Sequence, residues 1–174
     1  ANRGNYDLTQ HANHSGQKLT YFDQDRNEHI VPHVIEPAAG VDRIFLTLLL
    51  DAYDEEEVGE DTRTVLRLSP KIAPVNVAVL PLSRNEKLTP TARNVMDVLR
   101  SQFKAQYDDA QSIGRRYRRQ DEIGTPLCIT VDFETMEDDA VTIRNRDTMA
   151  QERVPISGLI DACKHNLEAM TVEK

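Results

Sequence analysis

No uncharged stretch in the 174 residues approaches the roughly 18 apolar positions that a membrane-spanning helix needs, and the first 30 residues hold no apolar core of a secretory signal. Cysteine occurs only as Cys128 and Cys163, outside any CxxC or Cys/His ligand spacing. The pair reads as reduced core thiols of a cytosolic protein. His11 and His14 have no cysteine near them, so no metal site is expected. His29 and His33 are four apart but flank Pro32 in a strand-like run, so they do not pair on a helix. A Ser/His/Asp order and a glycine-rich phosphate loop are both missing, which removes support for nucleophilic and P-loop chemistry. There is no internal repeat and no low-complexity tract. What remains is a chain with 39% hydrophobic and 29% charged residues, globular in composition and long enough for one domain or one domain plus part of another.

The formal charge of −8 argues at first against nucleic acid, because phosphate binding needs positive surface. The sum divides unevenly. Residues 1–70 hold 6 basic and 13 acidic side chains, while residues 71–174 hold 15 and 16. Much of the deficit lies in Asp54-Glu55-Glu56-Glu57 with Glu60 and Asp61, so the two parts are different electrostatic objects.

The first 29 residues are polar and weakly periodic, and a start at Ala-Asn-Arg-Gly without Met reads as an excised piece. Ile30 to Ile35 is a short strand-like run, with Pro32 marking an edge or bulge. Val41 to Tyr53 is apolar almost all round, which predicts a buried helix. The acidic run then reads as a solvated loop and Thr64–Leu68 as a strand. Pro70 and Pro74 bracket a shift in composition, and the domain boundary is placed there, at 70/71. Beyond it, strands are expected at Val75–Leu82, Ala105–Tyr107, Leu127–Phe133, Ala140–Arg146 and Met149–Val154, the third and fourth joined by an acidic turn at Glu137–Asp139. Helices are expected from a Thr89-Pro90 start through Phe103, over Ser112–Asp121 to a stop near Gly124, and from Ser157 onward. The order β-α-β-α-β-β-β-α implies an α/β fold with a mixed sheet of about five strands flanked by helices.

Two segments carry candidate chemistry. In Ile35-Glu36-Pro37-Ala38-Ala39-Gly40-Val41-Asp42-Arg43, Glu36 ends an apolar strand where a carboxylate needs a partner. Gly40 sits at a strand-to-helix transition, where close backbone approach or positive φ is expected. Arg43 falls in the first helical turn, an unfavourable place for a cation by roughly 0.3–1 kcal/mol unless an anion is near. A bound phosphate reverses that sign; an internal Glu36–Arg43 or Asp42–Arg43 ion pair that anchors the helix explains it equally well. The second segment, Arg115-Arg116-Tyr117-Arg118-Arg119, offers guanidinium groups for phosphates and a ring for an unpaired base. Arg144 and Arg146 share a strand face and extend the patch, while Asp121, Glu122 and Asp147 are close enough to pair with these arginines instead.

Strand, EPAAGVDR and apolar helix together resemble motif 3 of class II aminoacyl-tRNA synthetases, in the glycyl-tRNA synthetase form. The flanks agree at Ala1–His11, His14–Gly16, Tyr21–Asp23 and Pro32–Arg43, and so do Ser69–Leu82, Ile113–Asp132 and Val141–Val154. The resemblance covers nearly the whole chain. It implies the end of an antiparallel class II catalytic domain over residues 1–70, here a strand-helix remnant, and an anticodon-binding domain over 71–174.

By that resemblance Glu36 accepts the ammonium of the substrate glycine, with Pro37, Ala38, Ala39 and Gly40 shaping its pocket. The family usually has Ser at Ala38, so this chain lacks one hydroxyl there. Gly40, Val41, Asp42 and Arg43 lie on ATP, with Arg43 as the catalytic arginine on the γ-phosphate, acting by charge and position. Arg115, Arg116, Tyr117, Arg118, Arg119, Arg144 and Arg146 become candidates for contact with the tRNA anticodon arm. The implied parent enzyme is a cytoplasmic homodimer that joins glycine to glycine tRNA through glycyl-adenylate, using ATP and Mg2+. Motifs 1 and 2 are not among these residues, so the 174-residue piece is expected to hold no cofactor tightly and to be inactive alone. The rival reading is a non-catalytic nucleic-acid-binding protein on the same fold, of the polymerase accessory subunit type. Retention of Glu36, Gly40, Asp42 and Arg43 speaks against it, and the EPAAG string speaks against a class II synthetase for another amino acid.

Overall fold

The computed structural model describes residues 1–59 and 61–172, so Glu60 of the acidic run lies outside the described residues. The chain divides into two compact units, Ala1–Phe45 and Leu46–Lys174.

In the first unit the polar N-terminal stretch is more ordered than its weak periodicity predicts. Helix α1 (Tyr6–Ser15) ends in a left-handed Gly16 at φ 70°, whose N–H donates to the Ala12 carbonyl at 2.9 Å. Strands β1 (Tyr21–Asp23) and β2 (Glu28–Ile30) form an antiparallel hairpin. The expected strand at 30–35 is mostly replaced by an irregular ladder: the N–H groups of Arg3 and Val34 donate to the carbonyls of Val34 and Gly4, and Asn2 bridges Ile35. Pro32 cannot donate to such a ladder, which accounts for the interruption. Helix α2 (Val41–Ala52) starts in this unit and ends in the second.

In the second unit α2 gives way to an antiparallel hairpin of β3 (Tyr53–Val58) and β4 (Asp61–Leu66). This overturns the solvated-loop reading of the acidic run. Alternation places Asp54 and Glu56 on one side, where Arg67 and Arg63 neutralise them, and leaves Glu55 and Glu57 exposed. The main sheet then assembles from β5 (Val77–Pro81), β6 (Ala105–Tyr107), β7 (Leu127–Val131), β8 (Ala140–Asn145) and β9 (Gln151–Pro155), in the order β6-β5-β7-β8-β9. The first three are parallel and the last two antiparallel, giving the five-stranded mixed sheet that the sequence predicts. Helix α3 (Leu88–Arg100) begins one residue before Thr89, which makes Thr89 part of the first turn rather than its cap. Helix α4 (Ile113–Ile123), the short α5 (Thr135–Asp138) overlapping the expected acidic turn, and α6 (Leu159–Val172) after a 3₁₀ turn complete the order.

Both faces of the central strands are buried, so β5 is apolar throughout and β7 is apolar but for Thr130. Val77, Val79, Ile129, Val141 and Ile143 pack against Ala92, Val95 and Leu99 of α3 and Leu159 and Cys163 of α6. The opposite face, Ala78, Leu80 and Cys128, is covered by Ile113 and Tyr117 of α4. Helix α4 stops at Gly124, whose φ of 82° suits glycine; a Cβ there would lie 2.8 Å from the Leu66 carbonyl oxygen.

Compactness therefore divides the chain before residue 46 rather than at 70/71. The hairpin belongs with the sheet because it is fastened there through side chains: Arg63 and Arg67 of the hairpin region reach Asp121, the Arg146 carbonyl and Asp147.

Candidate functional site

The segment from Glu36 to Arg43 connects an irregular ladder to the first turn of α2, and every residue in it is exposed. Glu36 does carry a counter-charge, supplied by Arg3 at 3.7 Å, a residue far off in sequence. Gly40 opens the helix by accepting the Ile44 N–H at 3.0 Å. Its φ is not positive and nothing lies within 4 Å of a Cβ built there, so neither expected reason for a glycine applies. Arg43 stands in the first turn beside Asp42, so the start of α2 offers backbone N–H groups and a guanidinium together. That donor set matches the needs of a phosphate. The burial predicted for α2 does not hold: Val41, Ile44, Phe45, Leu46 and Leu50 are 47–80% exposed, and Ala52 is its one buried residue. Hydropathy reports that a surface wants cover, and among the described residues that cover is not supplied.

Helical periodicity divides the arginine run. Arg116 is 2% exposed and donates to three carbonyls, those of Pro81, Gln111 (2.6 Å) and Ala110 (3.2 Å), locking the loop before α4 to the end of β5. Arg119 reaches Asp108 at 2.6 Å and Arg118 the Thr62 carbonyl at 3.4 Å, while Arg115 is exposed. Tyr117 is tethered through its hydroxyl to Thr130 Oγ1 at 2.5 Å, with the Arg144 guanidinium 4.8 Å above its ring. Burial raises its phenol above the ordinary tyrosine range.

Arg144 and Arg146 also point inward. Asp121, 1% exposed, accepts from Arg144 at 2.9 and 3.2 Å and from Arg63 at 2.8 Å. Arg63 continues to Glu56 at 2.9 Å and the Arg146 carbonyl at 2.5 Å. Arg146 forks onto Asp147 at 2.8 and 2.9 Å and donates to the carbonyls of Leu68 and Gly124. Arg116, Arg144 and Arg146 thus correct the expectation of an RNA-facing arginine surface: they are interior, holding α4, β8 and the hairpin together. Arg116 is held by carbonyls and Arg144 by Asp121, 23 positions away, so local charge spacing could not separate paired from solvated arginines.

The sequence reading missed a second polar constellation. Register places Leu80, Thr130, Thr142 and Arg153 in one row across the sheet, on the side that α4 covers at β5. Toward β9 that side stays partly open: Thr142 and Arg153 are half-buried and Gln151 is exposed. Arg153 is gripped by Asp132 at 2.9 and 3.2 Å and by Asp138 at 2.7 and 2.9 Å. Hydrogen bonding from Arg153 holds the Asp138 carboxyl below the usual range. For Asp132, burial pushes upward, but hydrogen bonds from Arg153 and Thr135 outweigh it and the net shift is down. The available signal was Arg153 in an edge strand otherwise of ordinary composition.

With this geometry in hand, the relatives are informative. The anticodon binding domain family matches residues 76–166, just over half of the chain, from the start of β5 into α6. The chain is 59% identical over 161 residues to a glycine–tRNA ligase of Nocardia farcinica, covering 90% of this chain and 34% of the relative. It is 55% identical over 169 residues to a glycine–tRNA ligase of Clostridium kluyveri, covering 97% and 36%. It thus spans about a third of the length of these curated relatives. A solved prolyl-tRNA synthetase of Cryptosporidium parvum superposes with a TM-score of 0.57 at 26% identity, over 61% of this chain and 23% of that one. The family match takes in the sheet of β5 to β9 with α3, α4 and the first part of α6, and the chain belongs to the anticodon binding domain family.

Proposed function

We propose that this chain serves a glycine–tRNA ligase, its second unit binding the anticodon arm of glycine tRNA and its first contributing part of the site for glycine and ATP. The observation that carries the reading is 55–59% identity to glycine–tRNA ligases in matches that cover 90–97% of the chain and so extend beyond the anticodon binding domain to the stretch that holds Glu36–Arg43. A binding module of the accessory-subunit type has no use for that segment.

Under this reading Glu36 receives the glycine ammonium, with Pro37, Ala38, Ala39 and Gly40 around it. The start of α2, with Gly40, Val41, Asp42 and Arg43, receives the phosphates of ATP. When bound, ATP with Mg2+ supplies the anhydride that activates the glycine carboxylate. Arg43 adds positive charge and position, with no proton transfer. The tRNA, glycine, ATP, a second copy of the enzyme and a cytoplasmic setting are the partners and place that the reading carries with it. Binding should be measured with this chain on glycine tRNA and on transcripts with altered anticodons. Preference for the glycine anticodon is expected, and equal binding to every anticodon removes the recognition role. Glycine-dependent pyrophosphate exchange by the 174-residue chain is expected to be undetectable. Measurable exchange would show that the segment suffices without further motifs.

A further inference from the structure

We infer that the cleft beyond the carboxyl ends of β5 and β6 is an anion site for a phosphate group carried on an organic ligand, with the buried Arg116 as the charge that calls for it. The site is built from loops and the start of α4 rather than from the sheet face, and it stands whether or not the second unit reads an anticodon.

Strand topology opens the cleft. β5 pairs in parallel with β6 on one side and with β7 on the other. Helix α3 leads from β5 to β6 and packs on one face, while α4 leads from β6 to β7 and covers the opposite face. The loops leaving β5 and β6 therefore part toward opposite faces, and at such a switch in strand order a crevice forms beyond the carboxyl ends of the strands. Here it has a volume of about 510 Å³ and is lined by Leu82 and Arg84 after β5, by Asp109, Gln111 and Ser112 after β6, and by Arg116 of α4. That is the size of a small-molecule site, with more room than a bare ion fills.

The charge in it does not balance. Of the buried arginines among the described residues, Arg63 and Arg144 share Asp121, and Arg146 holds Asp147. Arg116, 2% exposed, differs in having no carboxylate: it donates to the carbonyls of Pro81, Ala110 and Gln111. The carboxylates nearest along the loop are already taken, Asp108 by Arg119 at 2.6 Å and Asp109 by Arg84 at 2.8 Å. A buried cation without a counter-charge is costly, and an anion brought from outside removes that cost. The means of binding it are present. Three of the five N–H groups of Arg116 are used, so two remain. Ser112 makes no side-chain cap hydrogen bond, which leaves the first N–H groups of α4 as further donors. A phosphate offers oxygens to both sets, and Leu82, 39% exposed, provides an apolar wall for the rest of the ligand.

The test follows the amide resonances of Ile113 and Gly114 and the Arg116 Nε–H resonance in NMR titrations of the 174-residue chain at constant ionic strength. Reading resonances of α4 separates this cleft from the ATP residues proposed at the start of α2. Adenosine monophosphate and inorganic phosphate are expected to shift these signals saturably and chloride to leave them in place. Adenosine is expected to bind at least about tenfold more weakly than its monophosphate. Leu82→Asp sets a carboxylate on the cleft wall without replacing any partner of Arg116, and Arg84→Gln removes a cation while leaving Asp109 charged. Each is expected to weaken adenosine monophosphate by roughly tenfold or more. An anticodon stem-loop that moves the same signals and is displaced by the monophosphate assigns the phosphate to RNA. A stem-loop that leaves them in place assigns it to a free ligand, and both results support the site. Shifts that never saturate, equal shifts with chloride, or a folded Leu82→Asp or Arg84→Gln chain that binds as tightly as the parent overturn the inference.

Discussion

Asp121 shows how much one side chain does in this protein. It is a carboxylate with 1% exposure between Arg63 and Arg144, themselves 1% and 6% exposed. Removing it leaves the buried Arg144 guanidinium without a carboxylate and Arg63 with Glu56 alone, a change that costs about 3–5 kcal/mol. Asp121→Ala is therefore expected to lower the urea midpoint steeply, while Glu122→Ala beside it, exposed, changes stability by less than about 0.5 kcal/mol. A second prediction concerns acid. Burial raises the Asp147 carboxyl, but Arg146 and Arg67 outweigh it, and Arg67 lowers Asp54 as well. A folded-state pKa below the unfolded one means the stabilisation is complete above about pH 4 and is lost as pH falls through the lowered value. Thermal unfolding followed from pH 7 to pH 2 is expected to be flat at first and to fall steeply below about pH 4, with Arg67→Gln reducing that slope.

At the scale of elements, the sheet was legible because its central strands β5 and β7 are largely apolar and α3 carries one apolar face. Ala105–Tyr107 emerged with the bounds its composition implied. What could not be read were elements whose stability comes from distant partners. The acidic strand β3 looks like a loop until Arg63 and Arg67 are placed beside it. The arginines of α4 look solvated until the helix is set against the Pro81 carbonyl and Asp108. Candidate site residues followed the same division. The Glu36–Arg43 string was readable as a string, whereas Asp132, Thr142 and Arg153 come together only through strand register. Helix α2 differs again, because its apolar face is displayed rather than packed. Such a patch binds apolar dyes and promotes association. Ile44→Gln with Leu48→Gln is expected to reduce dye binding and concentration-dependent sedimentation while leaving the urea midpoint within about 0.5 kcal/mol of the parent.

For the molecule as a whole, the net charge of −8 understates how few cations are free to meet a polyanion, since much of the arginine is spent on internal carboxylates and carbonyls. Of the seven residues first considered for RNA contact, Arg115 is the exposed one. Arg115→Gln is expected to weaken tRNA binding equally for all anticodons and to reduce the salt slope by about 0.7–0.9, the share of one phosphate contact. The same measurement on Arg116→Gln is expected to report unfolding instead.

The two cysteines are buried on opposite faces of one sheet, Cys128 of β7 under α4 and Cys163 on the inward side of α6, 2% and 0% exposed. Burial pushes each thiol up to about 12, so neither is a thiolate near neutrality. An alkylating reagent reaches Cys128 only after α4 and its arginine clamp come away, and Cys163 only after α6 lifts from the other side. The chain thus carries two native chemical clocks, one for each layer, and the difference between their labelling rates tells which layer opens first.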